Sequence, residues 1–190
     1  MTNPRLNPVE APYPAEVSEI LASMMPPGAE PIGLFRTVAH SPKMLAKLRA
    51  SSMLGKVSLT LRQREILILR TTARCAAEYE WGVHVNFFAT RVGFSKGEVS
   101  AISFATPEAS QLGEEEKVLL QLVDDLSDQK TVSAEVYERL QSHYSAEQML
   151  EMIMLTGMYH TVSFLCNGFA IANEAGTPGF EDYKFTEVSS

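Results

Sequence analysis

The twenty residues EILILRTTARCAAEYEWGVH, Glu65 to His84, decide the fold class. Leu61, Ile66, Leu69 and Ala73 recur at helical spacing while Leu67 and Ile68 widen the apolar face, so LRQREILILRTTARCAA reads as a mostly buried helix capped by Thr60. After Ala77 a second helical segment carries Val83, Phe87 and Phe88 and stops at Gly93, which makes the region around Ala77 a tight helix–helix junction. No run in the chain alternates apolar and polar residues between turn signals as a sheet requires. The expected class is all-α.

Outward from this pair the same pattern continues. Toward the N-terminus, a short helix around Glu16–Ser23 stops at Met25-Pro26-Pro27-Gly28, and an apolar segment Ile32–Ala39 ends at Ser41-Pro42. Ser41 then caps a helix carrying Met44, Leu45, Leu48 and Met53 that stops near Gly55. Toward the C-terminus, Ser95 opens a helix to about Ala105, Glu114, Glu115 and Glu116 start one that ends near Asp128, and another spans Ala134–His143. Ser145 and Gln148 form a capping box for a long helix, apolar on nearly all sides, of the kind found in a core or a large subunit interface. Residues 1–15, rich in Pro and Asn, read as an extended arm available to wrap a neighbour; residues 16–176 form one helical domain of seven to eight helices, and 177–190 a loosely ordered tail.

Composition limits the functions open to such a domain. With 190 residues, 45% hydrophobic and 21% charged, the chain suits one globular domain. Its net charge of −7 and scattered basic residues argue against nucleic acid and anionic membrane surfaces as partners. The longest apolar runs fall short of the roughly 20 residues of a membrane span, the start MTNPRLNPVEAPYP lacks an apolar signal core, and two distant cysteines form no disulfide framework. A cytoplasmic protein is expected.

The chemistry concentrates in the opening stretch. Glu80 and His84, four apart on one helix, share a face. Glu65 sits amid ILIL, where a buried carboxylate requires a partner. About a junction at Ala77, however, it is twelve residues before the turn and His84 seven after, so the two meet only if the second helix starts late or crosses at an angle. Cys75, in an Ala-rich helix end, reads as a packed thiol; Glu78 reads as a helix-start charge, and His40 and His143 as solvent-facing. No HxxxH or HExxH spacing occurs, so no metal site is expected.

A Glu, then twelve residues on a small residue or Cys, then x-x-Cys-x-x-x-His, is the pattern of the carboxymuconolactone decarboxylase and AhpD-like alkylhydroperoxidase superfamily, which this sequence resembles over roughly residues 40–105. The terminal GMYHTVSFLCNGFAIANE resembles the decarboxylase-type branch as well. Glu65 and His84 match the pattern, whereas the two peroxidase cysteines fall on Ala77 and Glu80. The resemblance therefore implies a homo-oligomer, trimer or hexamer, of an AhpD-like helical domain, acting as a cofactor-free lyase on a small carboxylate or lactone. In such a reaction the lactone carbonyl takes the electrons left by departing CO2, and the protein supplies a proton to carbon. The expected catalytic residues are His84 as proton donor or relay with Glu65 and Glu80, and Arg74 or Arg70, Tyr79, Trp81 and His160 are the expected substrate contacts. Two rivals are a thiol peroxidase using Cys75 and a non-catalytic oligomeric binder of small ligands.

Overall fold

The computed structural model describes residues 3–51 and 58–184. Among them are nine α-helices, one more than the upper end of the expected range, three short 3-10 turns and no strand. The helices are α1 (Ala15–Met24), α2 (Gly33–Val38), α3 (Pro42–Ser51), α4 (Leu61–Arg74), α5 (Glu78–Phe88), α6 (Lys96–Phe104), α7 (Glu114–Asp128), α8 (Ala134–His143) and α9 (Ala146–Phe169). The expected stop near Gly55 lies outside the described residues.

The helix starts follow from local chemistry. Thr60, Ser95 and Ser145 each accept from the backbone N–H three residues on, while Gln63, Glu98 and Gln148 accept from the capping residue's own N–H. Each box satisfies donors that a helix start otherwise leaves orphaned, a contribution of about 1 kcal/mol apiece. Two of the three glutamates opening α7 do more than face solvent: Glu116 pairs with Arg62 of α4, and Glu114 with Lys117 and Arg139.

Helix α4 is the axis of the molecule, packed against α5, α6, α7 and α9. Ile66, Leu67, Ile68 and Leu69 are all buried, so the helix is enclosed on every side rather than on one stripe. Each such side chain contributes about 1.5–3 kcal/mol on removal from water. Around it, one core joins α4 through α9, and a smaller cluster of Leu34, Tyr79, Val83, Val162, Cys166 and Ile171 ties α2 to α5 and α9. Helices α1 and α3 pack together beside this second cluster.

The described parts of the arm and tail pack against the rest of the chain; residues 185–190 of the expected tail lie outside the described residues. The arm lies on its own chain: Arg5 N–H donates to the Phe169 carbonyl at 2.8 Å, Val9 N–H to the Arg36 carbonyl at 3.2 Å, and the Asn7 carbonyl meets His40 Nε2 at 2.9 Å. Residues 177–184, expected to be loose, are docked on α5. Phe180 N–H donates to Glu78 Oε1 at 2.8 Å, and the Phe180 and Tyr183 rings meet Trp81 edge-on at 5.1 and 5.3 Å. Gly82 permits this approach, because a Cβ there would stand 2.6 Å from the Pro178 carbonyl oxygen. Sequence alone gives no sign of the docking, since the aromatic partners lie about a hundred residues apart.

One helix among the described residues, α9, is long and apolar enough to cross a membrane by length and composition. One side of it, with Met152, Leu155, Tyr159, Val162 and Cys166, is buried in the domain. The other side leaves Leu150, Ile153, Met154 and Phe164 exposed.

Candidate active site

The junction between α4 and α5 fixes the site. Helix α4 ends in a Schellman turn, with Ala77 N–H donating to the Thr72 carbonyl and Ala76 N–H to the Ala73 carbonyl, and Ala76 adopts the left-handed conformation at φ 50°. Helix α5 begins at Glu78, so it does not start late. Glu65 lies nine residues before the end of α4 and His84 six after the start of α5, roughly 14 and 9 Å along the two axes. The two side chains span the difference.

They meet in the interior. His84 Nδ1 stands 2.7 Å from Glu65 Oε2, its Nε2 is 3.4 Å from Glu80 Oε1, and the Tyr159 hydroxyl of α9 is 3.0 Å from the same Nε2. Glu65, Glu80, His84 and Tyr159 are 1%, 6%, 4% and 7% exposed, so all four groups are withdrawn from water. Burial on its own would hold His84 neutral, but the charge of Glu65 and its hydrogen bond, supported by Glu80, overcome that and push the imidazole up to about 10. The ring is therefore an imidazolium at neutral pH, with both nitrogens donating. Nδ1–H donates to Glu65, and Nε2 faces both the Tyr159 oxygen at 3.0 Å and Glu80 Oε1 at 3.4 Å. Burial, with the charges of Glu80 and Glu65 behind it, raises the Tyr159 pKa well above the usual phenol value, so the phenol proton is retained.

Glu80, His84 and Tyr159 open onto a cavity of about 160 Å3. Its other walls are almost wholly apolar, with Leu34 and Phe35 of α2, Val83, Phe87 and Phe88 of α5, Met158 and Val162 of α9, and Met24, Met25 and Pro26 at and after the end of α1. Glu65 stands outside the lining, behind His84, and acts on the ring rather than on the cavity. Two buried carboxylate oxygens, Glu65 Oε1 and Glu80 Oε2, have no hydrogen-bond partner. An acceptor left unsatisfied in the interior is costly, and Glu80 Oε2 is the one that belongs to a lining residue. Among the described residues no three His, Cys, Asp or Glu side chains are placed to hold a metal ion.

The remaining expected contacts lie elsewhere. Arg74 is at the surface end of α4, paired with Asp124 and Asp128 of α7. Arg70 is buried in a two-bond pair with Asp124 and also donates to the Ile102 and Ala105 carbonyls. Both arginines fasten α4 to its neighbours, and neither lines the cavity. Tyr79 donates to Glu174 and accepts from Leu34 N–H, bracing α2. Trp81 Nε1–H donates to Ser103 Oγ at 2.8 Å on the side facing the docked tail. His160 Nδ1 contacts the carbonyl of Thr156 at 3.0 Å and its ring meets Phe164, away from the cavity; its neighbour Tyr159 takes the place expected of it. Cys75 is a half-buried helix end whose thiol is pushed up by burial, which outweighs the nearby Ser163 hydroxyl and the charges of Lys130 and Arg74, and it too is absent from the lining.

Arg91 and Phe88 were not among the expected residues. The signal was present: Glu80, His84, Phe88 and Arg91 follow one another at spacings of four, four and three, a single stripe along α5 and the 3-10 turn after it. Phe88 stacks on the His84 ring at 5.2 Å, and the Arg91 guanidinium stands over Phe88 at 5.6 Å.

No family model matches the chain, and no curated protein does. Solved structures do. An uncharacterised peroxidase-related protein from Silicibacter sp. TM1040 has a TM-score of 0.76 at 15% identity, covering 95% of this chain and 99% of its own. The debrominase Bmp8, solved in complex with 2,3,4-tribromopyrrole, has a TM-score of 0.76 at 15% identity over 92% and 94% of the two chains. An AhpD-core, peroxidase-related protein from Ralstonia eutropha JMP134 has a TM-score of 0.70 at 16% identity over 92% and 94%. At these identities the likeness is one of fold: the chain shares the all-helical fold of these AhpD-like, peroxidase-related structures.

Proposed function

We propose that the chain is a cofactor-free enzyme that moves a proton onto or off carbon in a small carboxylate or lactone, with a carboxy-lyase reaction as the leading form. The observation that supports this is the placement of the His84 imidazole, the Tyr159 phenol and the Glu80 side chain together in the wall of an otherwise largely apolar cavity. As the bond between carbon and the departing CO2 breaks, its electron pair passes into the lactone carbonyl. The Tyr159 hydroxyl donates to the enolate oxygen or to carbon and is reloaded through His84 Nε2–H. Glu65 holds the ring through Nδ1 and stabilises its charge, and Glu80 stands ready to accept a proton or orient the substrate. The apolar walls keep water from competing for the proton.

A peroxidase reading draws on the names of the fold neighbours, but it needs an activated thiolate. Cys75 has the opposite environment and no place in the cavity wall. The test is CO2 release from a panel of lactone acids by the wild type and by His84→Ala. Loss of turnover in the variant is the expected result, and equal rates reject His84 as the source of the proton. A protein that retains a ligand without any turnover would instead be a binding module.

We also propose that the protein is a cytoplasmic homo-oligomer joined through the outer face of α9. Leu150, Met154 and Phe164, each about two-thirds exposed, lie at alternating helical spacings with Gly157 and Thr161 between them. That makes an apolar seam of the kind one helix offers another.

A further inference from the structure

Helix α2 is a wall of the cavity that does not hold itself in place. Ile32, Leu34 and Phe35 line the cavity, yet the helix is six residues long and Ile32, the residue before it, offers no side-chain cap. So short a helix has no stability of its own, and its first N–H groups need partners from elsewhere. Both partners come from distant parts of the chain. Leu34 N–H donates to the Tyr79 hydroxyl oxygen at 2.9 Å, while the Tyr79 O–H and Gly33 N–H both donate to Glu174 Oε1, each at 2.5 Å. One carboxylate oxygen thus closes a ring of bonds joining α2, α5 and the segment that follows α9. Gly33 admits it, since an added Cβ would stand 3.2 Å from that oxygen and 3.3 Å from Ile171 Cγ2. Glu174 is placed in turn by α5: Glu78 Oε2 accepts from Asn173 Nδ2 at 3.2 Å and Glu78 Oε1 from Phe180 N–H at 2.8 Å, on either side of Glu174 in sequence.

We propose that Glu174 is the positioning residue of the cavity wall: through Tyr79 and the two amides it sets the depth at which Leu34 and Phe35 stand in the cavity, and so the size of ligand the cavity takes. An apolar cavity of roughly 150 Å3 accepts one benzene ring, and this one is about 160 Å3, so the wall as held favours a single ring over a fused pair. Both bonds to Glu174 converge on one oxygen, so the role needs an acceptor and not a charge. Without that acceptor, the Gly33 N–H and the Tyr79 hydroxyl lose their partner. The start of α2 then keeps apolar contacts, which have no direction and do not fix its depth. This inference rests on the cavity being the ligand site, as read above, and not on the reaction carried out there.

The test is equilibrium binding of benzene and naphthalene at neutral pH, followed by the methyl NMR signals of Leu34 and Val83, in the wild type, Glu174→Met, Glu174→Gln, Tyr79→Phe and the Glu174→Met/Tyr79→Phe double variant. In Glu174→Met, the affinity for naphthalene relative to benzene is expected to rise about tenfold, with faster hydrogen exchange at the Gly33 and Leu34 amides. Glu174→Gln keeps the acceptor oxygen and should stay within about twofold of the wild-type ratio. Tyr79→Phe keeps the packed ring but cuts the same set of bonds, so it moves the ratio in the same direction whether or not Glu174→Met folds, and the double variant gains less than the sum of the two. An unchanged ratio in Glu174→Met or Tyr79→Phe, a shift in Glu174→Gln as large as in Glu174→Met, or additive effects would each overturn the proposal. Benzene that leaves the wild-type Leu34 and Val83 signals unmoved would overturn the ligand cavity and this inference with it. Failure of the lyase reaction is separately visible: no lactone acid is then turned over, while the change of size preference in Glu174→Met remains.

Discussion

Glu65 and His84, nineteen positions apart on different helices, close to 2.7 Å inside the protein and hold one another's charge there. The ring, ordinarily near 6.5, is pushed up to about 10 in the folded chain because the pull of Glu65 outweighs burial. Between those two values the native state keeps a proton that the unfolded chain has released. The pair's contribution to stability is thus fully present below about 6.5 and is lost as pH rises through about 10. Urea midpoints measured across that window should fall more steeply for the wild type than for His84→Gln, and parallel slopes would contradict the pairing.

Removing the charge of Glu65 while keeping its shape isolates the same bond. Glu65→Gln removes the charge that holds the His84 proton and breaks the buried pair, a change expected to cost about 3 kcal/mol of folding stability. It should also bring the His84 titration down toward its ordinary range, followed by NMR of the ring nitrogens.

Tyr159 and His160 are adjacent in sequence and differ by about 100° around α9. Only the first touches His84. Tyr159→Phe is expected to lower lyase turnover by roughly a hundredfold at a stability cost of about 1 kcal/mol. His160→Ala should leave the initial rate within about twofold, because its ring bonds only within its own helix.

Gly82 carries the docked segment. An added methyl would stand 2.6 Å from the Pro178 carbonyl oxygen, so Gly82→Ala must displace residues 177–180 or shift α5. The expected cost is about 1–3 kcal/mol. Trp81 reports the event directly, since Phe180 and Tyr183 cover its ring: its fluorescence should move to longer wavelength, whereas Gly157→Ala, made where nothing lies within 4 Å, should leave the spectrum unchanged.

The exposed seam of α9 gives a prediction about assembly. Replacing Met154 and Phe164 together by Lys places two charges on the face proposed to join subunits. The sedimentation mass should fall to that of a smaller species with the helical circular dichroism retained, and an unchanged mass would remove α9 from the interface.

What could be read ahead of the structure divides along the range of the forces involved. Helix starts at Thr60, Ser95 and Ser145 depend on residues three apart and were legible, as was the shared face of Glu80 and His84. The need of Glu65 for a partner was legible too, because its neighbours are apolar. Arg70 and Arg74 were misread as substrate contacts because their true partners, Asp124 and Asp128, lie on α7, some fifty residues away. On α9 the apolar residues run all the way round, so periodicity sets no phase, and His160 was favoured on residue type over the Tyr159 that reaches the ring. Arg91 escaped although the expected helix ran on to Gly93, because the residues four before and four after it, Phe87 and Ser95, offer no charged partner to single it out.

The bend at Cys75–Ala77 constrains the chain by its length more than by its side chains. Its turn is closed by hydrogen bonds between backbone groups, while the positive φ of Ala76 and the full burial of Ala77 limit those two positions to small residues. One inserted residue, however, would turn everything beyond it by about 100° and swing His84 out of reach of Glu65. Divergent chains of this architecture should therefore conserve the number of letters at this corner.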